Sequence, residues 1–296
     1  MMVPAPLIVW SLLLVGAESH ERANPVFAEM ISSGVGIGAE RVPLAAPSFP
    51  DGLDAAAQAK ALADVAGQDY DPAQLSRKSV VAPFVLRMDK VKDIAPGVAL
   101  RKIDTWFVAY GDLKTVAQPE FRKKVWSSQS EEDRGSSQGR EVTAADLAKR
   151  GIELATSAAK PESFGWGTNT IFNKVELAVA GRSFTSETPE SFVVASVVDR
   201  RFDGDAEFPN QWQALIRGES GAITKGPPQP YEGAAFYLKV TKLHEPAGAI
   251  MVESHLIFAE PEKWFSGANL IASKVPLIAN AQVRAFRREL LKADSK

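Results

Sequence analysis

The sequence predicts an α+β fold in which a mainly antiparallel, curved β-sheet is flanked by helices, one of them an amphipathic C-terminal helix. Six strand-like segments occur mainly as neighbouring pairs, without the regular strand–helix alternation of a parallel sheet. The last helical segment carries its apolar residues on one stripe, as a helix packed on a sheet does. With 296 residues, of which 45% are hydrophobic, the chain can bury a core of this kind.

The first 17 residues are typical of a signal peptide. An apolar run with one serine extends from Leu7 to Val15, and small residues then fit cleavage between Ala17 and Glu18. No Lys or Arg precedes the run, which departs from the usual pattern, and the segment is shorter than the roughly 20 residues of a spanning helix. We therefore expect export to the periplasm or the extracellular space. The alternatives are an uncleaved anchor, a misplaced start or a buried helix, and only an uncleaved segment would contact a membrane.

Residues 18–50 are predicted to form a flexible spacer, because they are rich in Gly, Pro, Ala and Ser and show no sustained period. GVGIGA at 34–39 matches a loose dinucleotide-binding pattern, but that pattern requires a preceding strand and a following helix. Three prolines follow instead, so nucleotide binding is not expected. Residues 51–296 are expected to form a single α+β domain, since no convincing linker follows.

Four helices are predicted from capping residues and apolar periodicity. Asp51 or Asp54 can cap the first, Thr143 and Asp146 have the spacing of a capping box in the third, and Asn280 can cap the last. The predicted helices are DGLDAAAQAKALADVAG (51–67), PEFRKKVW (119–126), TAADLAKRGIELA (143–155) and NAQVRAFRRELLK (280–292).

The six predicted strands show period-two alternation or continuous apolar runs bounded by turn residues. The last two are expected to form a hairpin around Glu245–Gly248. SSQSEEDRGSSQGRE (127–141) contains no apolar residue and is expected to be a mobile surface loop, and SFGWGTN (163–169) is also expected to be a loop. The predicted strands lie in residues 80–91, 98–113, 174–184, 190–202, 234–246 and 248–261.

Four segments in the C-terminal third resemble a known group of sequences. They are EFPNQW (207–212), PYEGAAFY (230–237), EPEKWFSGANLIASKVPLI (260–278) and VRAFRREL (283–290). These segments are similar to an uncharacterised family of exported bacterial proteins, and the resemblance covers roughly residues 207–290. It implies export and a single domain. It attaches no function and no catalytic residue to this chain.

The stretch DRRFDGDAEF places three carboxylates, Asp203, Asp205 and Glu207, at alternate positions. Calcium-binding loops use this spacing because a turn can aim each oxygen at one hard cation. The EF-hand pattern itself is excluded, since Phe208 and Ala214 stand where it needs glycine and glutamate. A looser site for a divalent cation such as calcium remains a hypothesis. The alternatives are a solvated turn and ion pairs with the two preceding arginines.

Glu253 and His255 share one face of a predicted strand, and they are the candidate catalytic residues. A carboxylate beside an imidazole can set its tautomer and raise its basicity, as a general base requires. The same pattern is typical of a covered sheet face with a hydrogen-bonded histidine. The chain has no cysteine nucleophile and no G-x-S-x-G motif to identify a serine nucleophile.

Three tryptophans are candidates for the rim of a ligand-binding pocket. Trp166, Trp212 and Trp264 fall in or beside predicted loops, where an indole ring can form an apolar platform with a polar edge. Ordinary packing at the ends of the sheet is the alternative. A sheet curved around a helix forms a concave apolar pocket, and we expect a ligand to lie there.

Charge excludes one class of partner. The net charge is −2, so no nucleic-acid binding is expected. The last predicted helix is locally basic, with Arg284, Arg287, Arg288 and Lys292. These cations complement a helix C-terminus, and they could also contact anionic lipid or a polyanion.

The sequence therefore predicts an exported, non-catalytic protein that binds a ligand or serves in the cell envelope. The expected partner is a small molecule, a glycan or an envelope component, and no cofactor is expected apart from the hypothetical divalent cation. The alternative is a hydrolase that acts on an envelope or extracellular polymer through paired carboxylates or through Glu253 and His255. A purely structural envelope protein is a third reading.

Overall fold

The computed structural model describes residues 19–126, 138–154, 162–265 and 269–294. The expected signal peptide at 1–17 and most of the polar loop at 127–141 lie outside the described residues. Within them, helices flank an eleven-stranded sheet whose paired strands are all antiparallel. The predicted α+β fold class, with its C-terminal helix, is confirmed.

The strands follow one another along the chain mainly as hairpins. They are β1 Val35–Ile37, β2 Glu40–Val42, β3 Val85–Ala95, β4 Val98–Tyr110, β5 Gln138–Glu141, β6 Ser163–Ile171, β7 Val175–Glu187, β8 Ser191–Val198, β9 Gln211–Arg217, β10 Ile223–Lys225, β11 Gln229–Pro230, β12 Ala234–Lys242 and β13 Ala249–Pro261. Strands β1 and β2 form a separate hairpin, and the order across the main sheet is β10-β9-β7-β8-β12-β13-β4-β3. Strand β11 also pairs with β9, and β5 pairs with β6, which pairs with β7. The six predicted strands are β3, β4, β7, β8, β12 and β13, and all are confirmed.

Strand β6 lies where the sequence predicts a loop at 163–169. All nine of its residues pair with β7, although the segment lacks the apolar alternation of a typical strand. Its glycines have a steric reason: a Cβ atom on Gly167 would lie 2.9 Å from the carbonyl oxygen of Gln138 in β5. The close approach of the β5 and β6 backbones therefore requires glycine in this strand, and the resulting glycine content resembles that of a loop.

The helices begin at recognisable caps. Asp54 accepts a hydrogen bond from the amide of Ala57 at the start of the third helix, and Thr143 and Asp146 form the predicted capping box of the seventh. The predicted helices at 51–67 and 119–126 are confirmed, whereas the one at 143–155 is shorter. The described helices are α1 His20–Ala23, α2 Pro25–Ile31, α3 Ala55–Ala66, α4 Pro72–Leu75, α5 Leu113–Ala117, α6 Pro119–Trp126, α7 Ala144–Ala148 and α8 Leu270–Asp294.

Helix α8 starts ten residues before the predicted cap at Asn280, and Pro276 lies inside it. Proline usually ends a helix, because it lacks the amide donor and its ring clashes with the preceding turn. Here Ile271 and Val275, one turn apart, pack against the core and stabilise the extra turns. Tertiary packing therefore extends the helix past a residue that normally breaks it.

The central strands alternate their side chains between two covered faces. On the front face, which α8 covers, Phe286 packs edge-on against Phe107 of β4 with 5.3 Å between ring centroids. On the back face, Phe27 of α2 packs against Tyr237 of β12 at 5.1 Å. Each face carries a cluster of buried apolar side chains, as expected for a sheet covered on both sides.

Residues 19–50 of the expected spacer at 18–50 are instead folded against the back face of the sheet. This segment contains α1, α2 and the β1–β2 hairpin, and Val26, Phe27 and Met30 are almost fully buried among side chains of the main core. Its glycines serve turns rather than flexibility. Gly34 has φ 76°, and a Cβ atom there would lie 2.5 Å from the backbone of Val42. A few large apolar side chains thus attach this segment to the sheet, although its sequence has no regular hydrophobic period.

None of the helices in the described part of the chain is long and apolar enough to span a membrane.

Candidate ligand-binding cavity

A cavity of about 410 Å³ lies between the front face of the sheet and α8. This volume is within the range of small-molecule sites, which is roughly 300–1,000 Å³. Eight of the twelve lining side chains are apolar. The lining residues are Thr105, Phe107, Val125, Val194, Ser196, Phe236, Leu238, Ser254, Ala279, Gln282, Val283 and Phe286.

The floor of the cavity is built by strand register. Leu238 of β12 pairs with Ser254 of β13, and Ser254 pairs with Thr105 of β4. Val194 of β8 extends this row, because it pairs with Leu238 on the other side. Since side chains in register on adjacent strands point to the same face, the two hydroxyls lie side by side within an apolar floor.

The roof of the cavity is the inner stripe of α8. Ala279, Gln282, Val283 and Phe286 recur at three- and four-residue spacing, so they share one helix face. Phe286 also contacts Phe121 of α6, at 5.4 Å between ring centroids. Aromatic packing therefore holds the roof above one end of the cavity.

Four polar side chains face an otherwise apolar space. The hydroxyl of Ser196 accepts a hydrogen bond from Ser183 at 2.8 Å. Among the described residues, the side chains of Thr105, Ser254 and Gln282 have no hydrogen-bond partner. Each is neutral at any physiological pH, so the lining offers hydrogen bonds without charge. Such a lining suits an apolar molecule that carries a hydroxyl, ester or amide group.

Glu253 and His255 lie on the opposite, back face of the sheet. The structure brings them together, as the sequence predicts: His255 Nε2 is 3.5 Å from Glu253 Oε2. His255 Nδ1 is 2.8 Å from Asp104 Oδ1 on β4, and Lys102 pairs with the other oxygen of Asp104 at 2.8 Å. Nothing in the sequence near His255 indicates Asp104, which only strand register places beside it.

This polar cluster is sealed from solvent. Glu253 is 0% exposed and His255 is 1% exposed. The amides of Ser48 and Phe49 donate to Glu253, at 2.8 and 3.2 Å, so the chain at 48–49 crosses directly over the carboxylate. Tyr237 stacks on the imidazole of His255 with 4.6 Å between centroids. A polymer cannot reach these groups in this arrangement.

Charge pairing sets the protonation of the cluster. Burial disfavours the imidazolium form of His255, but hydrogen bonds to Asp104 and Glu253 outweigh burial and raise its pKa. Burial likewise disfavours the Asp104 carboxylate, but hydrogen bonds from His255 and Lys102 prevail and lower its pKa. The cluster is thus a set of buried charges that compensate one another.

None of the three candidate tryptophans reaches the cavity. Trp264 is 3% exposed and stacks on Tyr231 at 5.7 Å, and Trp212 packs edge-on against Trp264 at 6.4 Å. Both belong to the core of the back face. Trp166 packs against Phe208, and its indole nitrogen donates to the carbonyl of Pro209 at 3.2 Å. All three rings therefore make packing contacts away from the cavity, and a ligand-binding role for them stays a prediction.

Asp205 is held by Arg150 through two parallel hydrogen bonds of 2.6 and 2.9 Å. The Arg150 guanidinium lowers the pKa of Asp205 well below its usual range. Asp205 also accepts the amides of Glu207 and Phe208, both at 2.8 Å, which closes the turn. This carboxylate is fully engaged within the protein.

The other two candidate metal ligands are also paired with arginines. Glu207 accepts from Arg140 at 2.6 Å and from Arg150 at 3.2 Å, and Asp203 accepts from Arg200 at 2.8 Å. In the described ranges, no group of three or more acidic or histidine side chains is placed to hold a metal ion. Ion pairing, with arginines from β5 and the α7 region as well as from the turn, thus accounts for these carboxylates.

The loop at 199–210 joins two strands that pair with the same side of β7. Strand β8 pairs with its C-terminal half and β9 with its N-terminal end. Asn210 bridges the break: its side chain accepts from the amide of Ala180 at 2.8 Å and donates to the carbonyl of Asp199 at 2.9 Å. The loop therefore connects two strands that pair with successive parts of β7, and charge pairs stabilise it.

The basic residues of α8 fall into three environments. Arg287 is 3% exposed, Lys292 pairs with Glu289 at 2.8 Å, and Arg284 and Arg288 are exposed. The basic side chains of α8 therefore do not form one continuous exposed face. Helical geometry explains this, because residue 287 lies one turn from Val283 and faces the sheet.

No protein-family model matches the sequence, and no curated protein matches it. Among solved structures, the human StarD13 (DLC2) lipid transfer and protein localization domain is similar, with TM-score 0.37, 10% identity, and coverage of 74% of this chain and 92% of that chain. Human STARD10 has TM-score 0.37, 9% identity, and coverage of 73% and 76%. A putative uncharacterized protein from Rhizobium leguminosarum has TM-score 0.32, 8% identity, and coverage of 66% and 98%. These likenesses are too distant to bear on the ligand of this chain.

Proposed function

We propose that this protein is an exported binding protein for an apolar small molecule that carries one or two neutral hydrogen-bonding groups. The observation that carries the proposal is the cavity under α8, with its apolar lining and the unpartnered polar groups of Thr105, Ser254 and Gln282. The ligand's carbon skeleton would contact the aromatic and aliphatic walls. Its hydroxyl or carbonyl group would lie at the floor, beside the neighbouring hydroxyls of Thr105 in β4 and Ser254 in β13.

The hydrophobic effect supplies the affinity in this proposal. Burying about 400 Å² of apolar ligand surface contributes about 10 kcal/mol at about 25 cal/mol per Å². Lost translational and rotational freedom offsets several kcal/mol of this, so we expect dissociation constants in the micromolar range. A charged ligand group would lose its hydration at this lining without gaining an ion pair, which selects against it.

Export is part of the proposal and rests on the N-terminal sequence. The apolar run from Leu7 to Val15 and the small residues after it have the pattern of a signal peptide, and the chain has no cysteine. The denatured mass of the protein purified from an exporting host tests this. A chain that begins at Glu18 would support export, and an intact Met1 would count against cleavage.

A cavity-filling substitution tests the binding site directly. Ala279 lines the cavity, whereas Ala281, two residues later on the same helix, faces solvent. We expect Ala279→Trp to weaken binding of the neutral fluorescent probe N-phenyl-1-naphthylamine by at least about tenfold, because the indole occupies the space of the ligand. Ala281→Trp is the matched control and should bind the probe as the unmodified protein does. Equal affinity in both variants would refute this site.

The floor hydroxyls can be tested separately from cavity volume. Thr105→Val and Ser254→Ala remove hydroxyls while leaving most of the shape. Each should weaken displacement of the probe by 1-decanol severalfold, since a lost hydrogen bond costs about 1 kcal/mol. Displacement by decane, which has no hydroxyl, should be unchanged. If decanol and decane respond alike, the hydroxyls have no role in selecting the ligand.

A further inference from the structure

Arg287 is a buried cation without a buried anion. It is 3% exposed, and its donors reach three main-chain carbonyls: Nε to Val108 at 2.8 Å, Nη2 to Pro83 at 2.9 Å, and Nη1 to Ala82. None of the described residues supplies a carboxylate to it. A guanidinium has five N–H groups, so these three acceptors leave part of its donor capacity unused.

The charge of Arg287 is therefore only partly compensated. Burial lowers its pKa to about 10, and the guanidinium still carries its charge at neutral pH. The carbonyl dipoles and the ring of Phe107, 5.5 Å away, offset part of the cost of burial. Buried cations in proteins normally have an anionic partner, since desolvation of an unpaired charge is expensive.

A small pocket of about 220 Å³ adjoins this guanidinium beside α8, next to the neutral cavity. Arg284 and Asn280 of α8 line it as well, and they share a helix face with Arg287 at three- and four-residue spacing. Arg284 has no ion-pair partner among the described residues. Two like charges three residues apart on a helix destabilise it unless an anion lies near both.

Among the described residues, the rest of the pocket wall is mainly apolar and contains no acidic side chain. It is formed by Tyr70, Val81, Ala82, Pro83, Phe84 and Val283. Val81 is 59% exposed and places carbon surface at the pocket. Fastening α8 to residues 82–83 and to Val108 of β4 explains the three carbonyl contacts of Arg287, but it does not explain a second arginine at the same pocket.

We infer that this pocket binds the oxyanion of a carboxylate or phosphate group between Arg284 and Arg287, with the carbon attached to that group against the apolar wall. The guanidinium of Arg287 is held rigidly by the backbone, so it is pre-organised to donate to an oxyanion. Arg284 is free to close over the anion from the solvent side. The two sites share only Val283 among their lining residues, so the anion would lie outside the neutral cavity.

Calorimetric titration at low ionic strength, with inorganic phosphate and with dodecyl phosphate as probes, tests the inference. Arg284→Gln is the primary variant, because it removes one anion donor at an exposed position and leaves the anchoring contacts of Arg287 intact. We expect it to weaken binding of both probes by at least about tenfold, as for loss of a charge-assisted hydrogen bond. Arg288→Gln is the matched control: it removes the same charge from the same helix outside the pocket, and should change binding less than about twofold.

Arg287→Lys keeps the charge but loses the planar fork, and it should also weaken binding if circular dichroism shows an intact fold. Tighter binding of dodecyl phosphate than of phosphate would identify an amphiphile as the ligand, and equal binding would identify a free anion. Equal weakening by Arg284→Gln and Arg288→Gln, or no heat with either probe, would overturn the inference. Ala279→Trp should leave phosphate binding unchanged, so failure of the neutral cavity and failure of this site are distinguishable.

Discussion

The Nδ1 atom of His20 lies 2.7 Å from the hydroxyl oxygen of Ser186, a residue of β7. Its other ring nitrogen is 2.6 Å from the hydroxyl of Ser191, and the residue is 3% exposed. Burial, followed by the positive charge of Lys239, lowers the pKa of His20 to about 4. A neutral imidazole therefore attaches the start of the described chain to the sheet, within a segment that the sequence predicts to be a flexible spacer.

We expect this attachment to weaken in acid. The folded protein binds a proton at His20 less readily than the unfolded chain does, so its contribution is fully present above the ordinary pKa of 6.5 and is lost as pH falls to about 4. The loss can reach about 3 kcal/mol, at 1.36 kcal/mol per pKa unit. Urea unfolding across this range should show a shallower pH dependence for His20→Asn than for the unmodified protein. His244→Asn, at an exposed histidine, should leave the dependence unchanged; if both variants match the unmodified protein, His20 is not buried as described.

Asp104→Asn should destabilise the protein strongly. The variant keeps the shape of the side chain but leaves the raised-pKa imidazolium of His255 without its main partner, at an expected cost of about 3–5 kcal/mol at pH 6. The stabilisation that Asp104 gives to the charged His255 is present below the ordinary histidine pKa and is lost as pH rises through the raised pKa of the folded state. The cost of Asp104→Asn should therefore shrink at high pH. Urea unfolding at several pH values measures it. Asp93→Asn, in the exposed pair with Lys90, should cost less than about 1 kcal/mol, and a similar cost for both variants would contradict a buried charge pair.

Arg150 and Asp205 should be strongly coupled in their effects on thermal stability. Their bidentate contact predicts that Arg150→Gln and Asp205→Asn each lower the melting temperature, and that the double variant is no worse than the more damaging single one. The contribution of Asp205 should be present above the unfolded carboxyl pKa and lost as pH falls, since its folded pKa is lowered. Thermal melts of the four proteins in the cycle measure the coupling. The exposed Lys60–Asp64 pair should give a smaller coupling, and additive losses at Arg150 and Asp205 would argue against the contact.

Gly111→Ala should displace α8. A Cβ atom on Gly111 would lie 2.5 Å from Cγ of Leu290, which is fully buried, and the residue has φ 148°. We expect a loss of about 1–3 kcal/mol from overpacking in addition to backbone strain, together with weaker binding of the cavity probe, because the roof of the cavity moves. Gly67→Ala is the control, since Gly67 also has a positive φ, at 60°, but no atom within 4 Å of the added carbon. Unfolding free energies and probe affinities that are equal in the two variants would show that contact with α8 has no effect.

Local signals in the sequence were sufficient for most of the elements. The cap at Asp54 and the capping box at Thr143 and Asp146 involve residues within three positions of one another, so no distant contact is needed to identify them. The hairpin of β12 and β13 is likewise marked by its turn at Glu245–Gly248. The pocket between a curved sheet and a terminal helix was also expected, and the cavity under α8 is in that place.

The lining of that cavity was not expected. Ser254 belongs to an alternating face that the sequence shows, but nothing local indicates that it pairs with Thr105, about 150 residues earlier. The same holds for His255 and Asp104 on the other face. Strand pairing decides these neighbours, and pairing partners depend on the whole sheet rather than on either segment.

By itself, the sequence determined the type of most helices and strands, the α+β class and the presence of a terminal amphipathic helix, because periodicity and capping are local properties. Tertiary structure alone decided which residues of each element are buried. Arg284, Arg287 and Arg288 are near neighbours on α8, yet only Arg287 faces the sheet and its backbone carbonyls. Burial depends on which distant parts of the chain pack against an element. That packing minimises the free energy of the whole fold rather than of the segment.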